Sequence, residues 1–124
     1  MNPITKDFAV ALCHTLSRSF VQNFKQIISR EESNTADKIN TLCEYMSGYN
    51  RIVSSIIIEC SDGSTRPITF QEKIMWFYTA GITITNTLDD KYFELYTKFI
   101  NEWNRNPEMS AKEVFNNIGY CLYE

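Results

Sequence analysis

At 124 residues, with 44% apolar and 22% charged residues, the chain has the size and composition of one folded domain spanning residues 1–124. Its net charge of −3 argues against nucleic acid as the main partner, because phosphate binding needs a basic face. No apolar run approaches the ~20 residues of a membrane-spanning helix and no cationic leader precedes the first apolar positions, so we expect a cytoplasmic protein that does not enter a membrane.

The first predicted helix begins at about Ile4 or Thr5 and ends at Arg30. Pro3 suits the start of a helix, where its missing N–H group is not needed. The apolar residues recur at three- and four-residue steps, so they form one stripe that faces the core. That stripe comprises Phe8, Ala9, Leu12, Cys13, Leu16, Phe20, Phe24, Ile27 and Ile28.

The second predicted helix, residues 34–60, keeps the longest unbroken apolar pattern and is expected to be the centre of the fold. Asn34 can cap its first turn, where Asp37 also places negative charge. Because the preceding linker is short, this helix should return against the first one as a long antiparallel helical hairpin. Its outer face, which includes Glu44 and Arg51, carries no recognisable chemistry.

Two features of the second helix leave alternatives open. Gly48 costs about 1 kcal/mol relative to alanine in a helix, and we interpret it as a tolerated cost or a point of close packing rather than a break. Residues 51–60 could instead form a strand paired with residues 66–70, since the Asp62-Gly63 dipeptide between them is a hairpin signal. Strict alternation of apolar and polar residues fails in this stretch, so we prefer the helix.

The third predicted helix begins at Phe70. Thr69 and Glu72 have the spacing of a capping box, in which each side chain accepts from the other residue's backbone N–H. Residues 81–85 are poor helix formers and alternate like a strand, but a lone strand would have no partner here. We therefore continue the helix through them.

Two further helices complete the predicted bundle. The fourth begins within residues 87–90 and ends before Pro107, and its aromatic stripe is expected to face the core. The fifth follows a second capping box, formed by Ser110 and Glu113. The predicted fold class is therefore all-α, a single-domain bundle of about five helices led by the long antiparallel hairpin.

The cysteines are expected to be reduced and buried. They are widely scattered, form no C-x-x-C pair and fit no zinc-binding spacing, and each lies on the apolar stripe of its predicted helix. A reduced cysteine in such a position behaves as a small apolar residue. The four are Cys13, Cys43, Cys60 and Cys121.

The sequence predicts no catalytic site, metal site or cofactor. His14 is the only histidine, and Cys13 precedes it in the chain. Successive residues of a helix point about 100° apart, so Cys13 and His14 do not form a nucleophile–base pair. The carboxylate pairs Glu31-Glu32 and Asp89-Asp90 flank predicted helix starts, where capping explains them better than acid–base catalysis. We therefore expect a protein that is not an enzyme.

An excess of aromatic residues suggests that the chain binds another protein. Tyrosine and tryptophan left at a surface are common anchors of protein interfaces, and an acidic surface favours a basic partner. We expect a small cytosolic inhibitor, such as an immunity protein that neutralises a basic toxin. A structural or regulatory homo-oligomer is the alternative, and a small helical ligand-binding protein or enzyme is a third. The candidate partner-binding residues are Asp89, Asp90, Glu94, Glu31, Glu32, Trp76 and Tyr123.

Overall fold

A computed structural model describes residues 2–31, 34–85, 90–106 and 109–118. The described residues are mostly helical, as predicted, but they also form a small three-stranded sheet. Helix α3 is continuous over residues 70–85 and changes to π-helical geometry in the middle. The elements in chain order are β1 (Ile4–Thr5), α1 (Lys6–Ile28), α2 (Thr35–Ser54), β2 (Ile57–Glu59), β3 (Thr65–Pro67), α3 (70–85), α4 (Asp90–Arg105) and α5 (Ala111–Asn117).

The helical prediction for residues 51–60 is wrong in its last part. Helix α2 ends at Ser54, and β2 follows and pairs antiparallel with β3. The turn between the two strands uses Gly63 at φ +86°, and the backbone N–H of Cys60 donates to the carbonyl of Ser64 at 2.8 Å. Thus the Asp62-Gly63 turn and the β-branched isoleucines decide this stretch, and the rejected hairpin is present with strands shorter than the 51–60 and 66–70 of that alternative.

Strand β1 corrects a second expectation. Ile4 and Thr5 were predicted to start the first helix, but they pair parallel with Ile58 and Glu59 of β2. The strand order is β1-β2-β3, so β2 is central and the side chain of Ile58 is buried. This pairing joins residues more than fifty positions apart, and local periodicity does not contain it. The described residues are therefore mostly helical, as predicted, but the small sheet makes the all-α class wrong in that detail.

Helix α1 begins at Lys6, one or two residues after its predicted start, and Thr5 caps it. The hydroxyl of Thr5 accepts from the backbone N–H of Phe8 at 3.2 Å, which satisfies one of the free donors of the first turn. Most of the predicted stripe is buried or half-buried, but Phe8 is 59% exposed. The stripe therefore reaches the core from Ala9 onward.

The start of α3 is as predicted, and its middle is not a regular α-helix. Both hydrogen bonds of the Thr69–Glu72 capping box are present. Residues Ile74–Tyr78 form a π-helical turn, and the buried hydroxyl of Ser17 in α1 donates to the carbonyl of Phe77 there. A wide turn disturbs the helical ladder, and the hydroxyl supplies a partner for this buried carbonyl. The helix then continues to Thr85, as expected.

The last two helices agree with their predictions where they are described. Helix α4 ends at Arg105, and the capping box of Ser110 and Glu113 opens α5. The predicted start of the fourth helix at Thr87 and Asp89 lies outside the described residues.

Aromatic side chains from α1 and α4 form the middle of the core. The ring of Phe24 lies 5.2 Å from that of Tyr96 in an edge-to-face arrangement, and Phe20 contacts the same tyrosine at 5.9 Å. Gly81 of α3 lies against the Tyr96 side chain, so the helix approaches closely at this point. Tyr96, Phe99 and Trp103 of the aromatic stripe of α4 are buried in the core, which confirms that prediction for these three residues.

The described cysteines differ in burial. Cys13 is fully buried, and burial raises the pKa of its thiol to about 11. Cys43 and Cys60 are only half-buried, and Cys60 follows a strand instead of lying on the second helix. The prediction of buried thiols thus holds fully for Cys13 alone among these three, and Cys121 lies outside the described residues.

Candidate functional site

The structure does not gather the predicted partner-binding residues into one site. Glu31 is exposed just after α1, Glu94 is exposed on α4 and pairs with Lys98 at 3.4 Å, and Trp76 is half-buried against the core in α3. Asp90 is the first residue of α4, and its side chain is not described. The remaining predicted residues, Glu32, Asp89 and Tyr123, lie outside the described residues.

A different surface, on the outer side of α2, shows exposed apolar residues in a regular arrangement. Tyr45, Gly48 and Ile52 are spaced by three and four residues, so they follow one another along one side of the helix. The two large side chains are 39% and 41% exposed. Apart from the adjacent residues and the backbone of α2 itself, no atom of the described residues lies within 4 Å of the position that a Cβ of Gly48 would occupy. We call these three residues the α2 face.

The α2 face is held in place from the core side by Tyr49. The ring of Tyr49 is nearly parallel to that of Tyr45, with 6.4 Å between centroids and 19° between planes. The Tyr49 ring also contacts Phe20 of α1, edge to face at 5.9 Å, and Phe77 of α3 at 6.4 Å, and its hydroxyl accepts from the Asn23 side-chain amide at 3.0 Å. One end of the α2 face is therefore continuous with packed core residues, which limits the freedom of Tyr45.

Two opposite charges flank the α2 face. Glu44 and Arg51 are exposed and lie next to Tyr45 and Ile52 in the chain. Seven residues separate them, which is a rise of about 10.5 Å along the helix. They are therefore too far apart along α2 to pair with one another.

A polar cluster joins α2 to α3 on another side of α2. The ammonium of Lys73 donates to the side-chain carbonyl of Asn50 at 3.0 Å and to the hydroxyl of Ser54 at 3.4 Å. The buried hydroxyl of Tyr78 donates to the same carbonyl at 3.0 Å. Burial lowers the pKa of Lys73 and raises that of Tyr78.

This cluster is explained by packing between the two helices. A cavity of about 190 Å³ lies beside it, lined in part by Phe70, and the Lys73 ammonium lies 5.8 Å from the centre of the Phe70 ring. The ammonium has neutral oxygen acceptors and an aromatic face as partners, which satisfies a half-buried cation without a carboxylate. We therefore assign the cluster a role in joining α2 and α3.

A second cavity, of about 380 Å³, lies at the carboxyl ends of β1 and β2. Its lining combines one lysine with two carboxylates, a thiol and two hydroxyls, so it matches no single class of ligand. His14, the sole histidine, lines neither of these two cavities and is exposed on α1. The lining residues are Thr5, Lys6, Asp7, Glu59, Cys60 and Ser61.

Among the described residues, no three histidine, cysteine or acidic side chains are grouped so that they could hold a metal ion. Within the same part of the chain, no helix combines the length and apolar character needed to cross a membrane. The α2 face places two of the exposed large apolar side chains on one side of a single helix, so we take it as the candidate functional surface.

Sequence reasoning did not find the α2 face, although part of its signal was present. The sequence indicates an excess of aromatic residues, which includes Tyr45, but it shows no recognisable chemistry on the outer side of the second helix. The recurrence of Tyr45, Gly48 and Ile52 at helical spacing could have identified it, but only the fold shows that these residues are exposed. No known protein-family model, curated protein or solved structure matches the chain.

Proposed function

We propose that the protein is a non-enzymatic protein-binding module and that the α2 face is its contact surface. The observation that carries this proposal is Gly48, an open glycine between two exposed apolar side chains. A glycine inside a helix costs about 1 kcal/mol relative to alanine. The approach of a partner's backbone at this point would explain why the cost is tolerated, because glycine lets two backbones come close.

The comparison with Gly81 supports this interpretation. Gly81 also lies inside a helix, but a Cβ there would overlap the hydroxyl of Tyr96, so the fold itself requires glycine. The described residues place no such requirement on Gly48. The two glycines therefore have different explanations, one in the core and one at the surface.

The contacts between α1 and α2 support a rigid mounting for the face. The Lys38 ammonium donates to the carbonyl of Ile28 at 3.2 Å, and Tyr49 meets Asn23 and Phe20 further along both helices. These contacts are the ones expected of the antiparallel hairpin predicted from the sequence. A surface on such a pair loses little conformational entropy when a partner binds.

The partner that we propose is a basic protein, and the specific role is that of a small cytosolic inhibitor, such as an immunity protein that neutralises a toxin. The net charge of −3 supports this role, because charge complementarity raises association rates and selects partners. The exposed tyrosine of the α2 face is a residue type enriched among binding hot spots.

A binding titration with a candidate partner, beginning with the product of the neighbouring gene, tests the proposal. We expect Ile52→Asp to weaken binding at least tenfold, because it places a charge in the apolar contact. A matched control is Thr83→Asp, at an exposed position on α3. Equal affinities for the native protein and the Ile52→Asp variant would contradict the use of the α2 face.

A structural or regulatory homo-oligomer is the second candidate, and the α2 face favours it for a specific reason. The face is flanked by one acidic and one basic residue, Glu44 and Arg51, so it is not complementary to a basic protein alone. Sedimentation of the isolated protein over a range of concentrations separates the two candidates. A strict monomer at high concentration would remove the oligomer.

A further inference from the structure

We infer that a second copy of this chain occupies the α2 face, with the two α2 helices antiparallel and crossing at Gly48. This inference rests on the proposed function in taking the α2 face as a contact surface. It adds the identity of one occupant, the orientation of the two helices and the residue pairs that meet. The free protein would thereby cover its exposed apolar residues until another partner competes for them.

The order of residues along α2 supports a symmetric contact centred on Gly48. A two-fold axis perpendicular to two antiparallel helices places residues opposite one another when they lie on the same side of the contact and at nearly equal distances from its centre. Tyr45 and Ile52 lie three residues before and four residues after Gly48, on the same side of it, so their heights differ by only one residue, about 1.5 Å, and each would pack on the other in the second copy. The dimer therefore contains two equivalent contacts, each between Tyr45 of one copy and Ile52 of the other.

The flanking charges satisfy the same symmetry. Glu44 and Arg51 lie four residues before and three residues after Gly48, and helical rotation places both on the side of the face away from Tyr45 and Ile52. A two-fold axis that brings the apolar residues together also brings Glu44 of one copy to Arg51 of the other. A parallel arrangement about an axis along the helices would not form these opposite-charge pairs.

Gly48 would lie at the crossing point, where two helix axes are closest. Helices usually pack 8–10 Å apart, and the lower distances require small side chains at the contact. The position is exposed, and within the described chain no side chain and no other element lies within 4 Å of its Cβ position apart from the adjacent residues, so the approach is open. A contact of about two helical turns is small, so we expect a weak dimer that exchanges rapidly.

Charge reversal with analytical ultracentrifugation tests the orientation. Sedimentation equilibrium of the full chain, from about 10 µM to about 1 mM at low salt, should show reversible self-association. Glu44→Arg and Arg51→Glu should each weaken it at least fivefold, because each places two like-charge pairs in the contact. The double variant Glu44→Arg/Arg51→Glu should restore the native dissociation constant to within about twofold, because it regenerates both opposite-charge pairs.

A monomer at all concentrations would overturn the inference, and so would a double variant as weak as the single ones. Gly48→Leu should also abolish self-association by separating the helices, with circular dichroism showing that the variant remains folded. Ser47→Leu, at a neighbouring exposed position, is the matched control and should leave the dimer intact. These measurements use the protein alone, so loss of a heterologous partner and loss of the dimer are distinguishable.

Discussion

At the scale of single residues, the surroundings of a side chain decide its protonation, its hydrogen bonding and its exposure. Cys13 lies in the core, where burial raises its thiol pKa to about 11 and keeps it protonated at neutral pH. Ser17 is buried but satisfied, because its hydroxyl donates to the Phe77 carbonyl in the π-helical turn. Gly48 and Gly81 are the same residue in the same type of helix, yet one faces solvent and the other a tyrosine.

The two glycines give a prediction about stability. We expect Gly81→Ala to lower the free energy of unfolding by about 2 kcal/mol, because its methyl group must displace Tyr96 from a packed core. We expect Gly48→Ala to raise it by up to about 1 kcal/mol, because alanine is the better helix former and the site is open. Urea denaturation at a concentration low enough for the monomer measures both. Equal changes of the same sign in the free energy of unfolding of the two variants would contradict the different surroundings of Gly48 and Gly81.

At the scale of elements, one ion pair connects the sheet to α3. The guanidinium of Arg66 in β3 donates to both oxygens of Glu72, at 2.7 and 2.8 Å. Glu72 also accepts from Thr69 in the capping box that opens α3. One carboxylate thus fixes both the start of the helix and the position of the neighbouring strand. The hydrogen bonds from Arg66 and Thr69 lower the pKa of Glu72 to about 2.

This lowered pKa predicts how stability depends on pH. A carboxyl group whose pKa falls on folding stabilises the native state above its unfolded-state pKa, and that contribution is lost as the pH falls toward the folded-state value. The contribution of Glu72 should therefore be complete above about pH 5 and decrease between about pH 5 and pH 2. We expect Glu72→Gln to lower the free energy of unfolding by about 1 kcal/mol at pH 7, a value kept small because Arg66 is partly exposed.

Denaturation of both proteins at several pH values checks this expectation. The difference between the native protein and the Glu72→Gln variant should shrink as the pH is lowered to 3. Glutamine can still serve in a capping box, so the variant tests the charge more than the cap. Exposed Glu94→Gln is a control, because its pair with Lys98 is solvent-accessible and should contribute little. A stability difference between the native protein and Glu72→Gln that grows on acidification would contradict a stabilising role for the ionised Glu72.

At the scale of the whole molecule, helices and a small sheet share one aromatic-rich cluster of buried residues. The outward surface combines an acidic balance with the α2 face, so the proposed binding has an electrostatic part and an apolar part. The electrostatic part acts before contact and affects the association rate, whereas the apolar part affects the lifetime of the complex. These two contributions can be measured separately.

Charge reversal is expected to affect mainly the association rate with a basic partner. Replacing Asp89, Asp90 and Glu94 by lysine changes the charge by six units and should slow association at least tenfold at low salt, with a smaller effect at high salt. Stopped-flow or surface-based kinetics would measure this. Ile52→Asp should instead raise the dissociation rate. Association that is insensitive to the triple reversal would contradict a basic partner.

The sequence by itself determined the helices and several of their ends. Apolar periodicity predicts α1 and α4, and the paired spacing of Thr69 with Glu72 and of Ser110 with Glu113 predicts two helix starts. These features are local, because a helix forms its hydrogen bonds and caps within a few residues. They can therefore be recognised without the fold.

Only the tertiary structure decided the sheet and the candidate surface. The isoleucines of 56–58 fit a helix or a strand locally, and pairing with β1 and β3 selects the strand because the backbone groups of β2 then have partners on both sides. The α2 face depends on which sides of α2 the other elements cover, and periodicity marks only its residues. Exposure is a property of the whole molecule, so the open position of Gly48 had to be found in the fold.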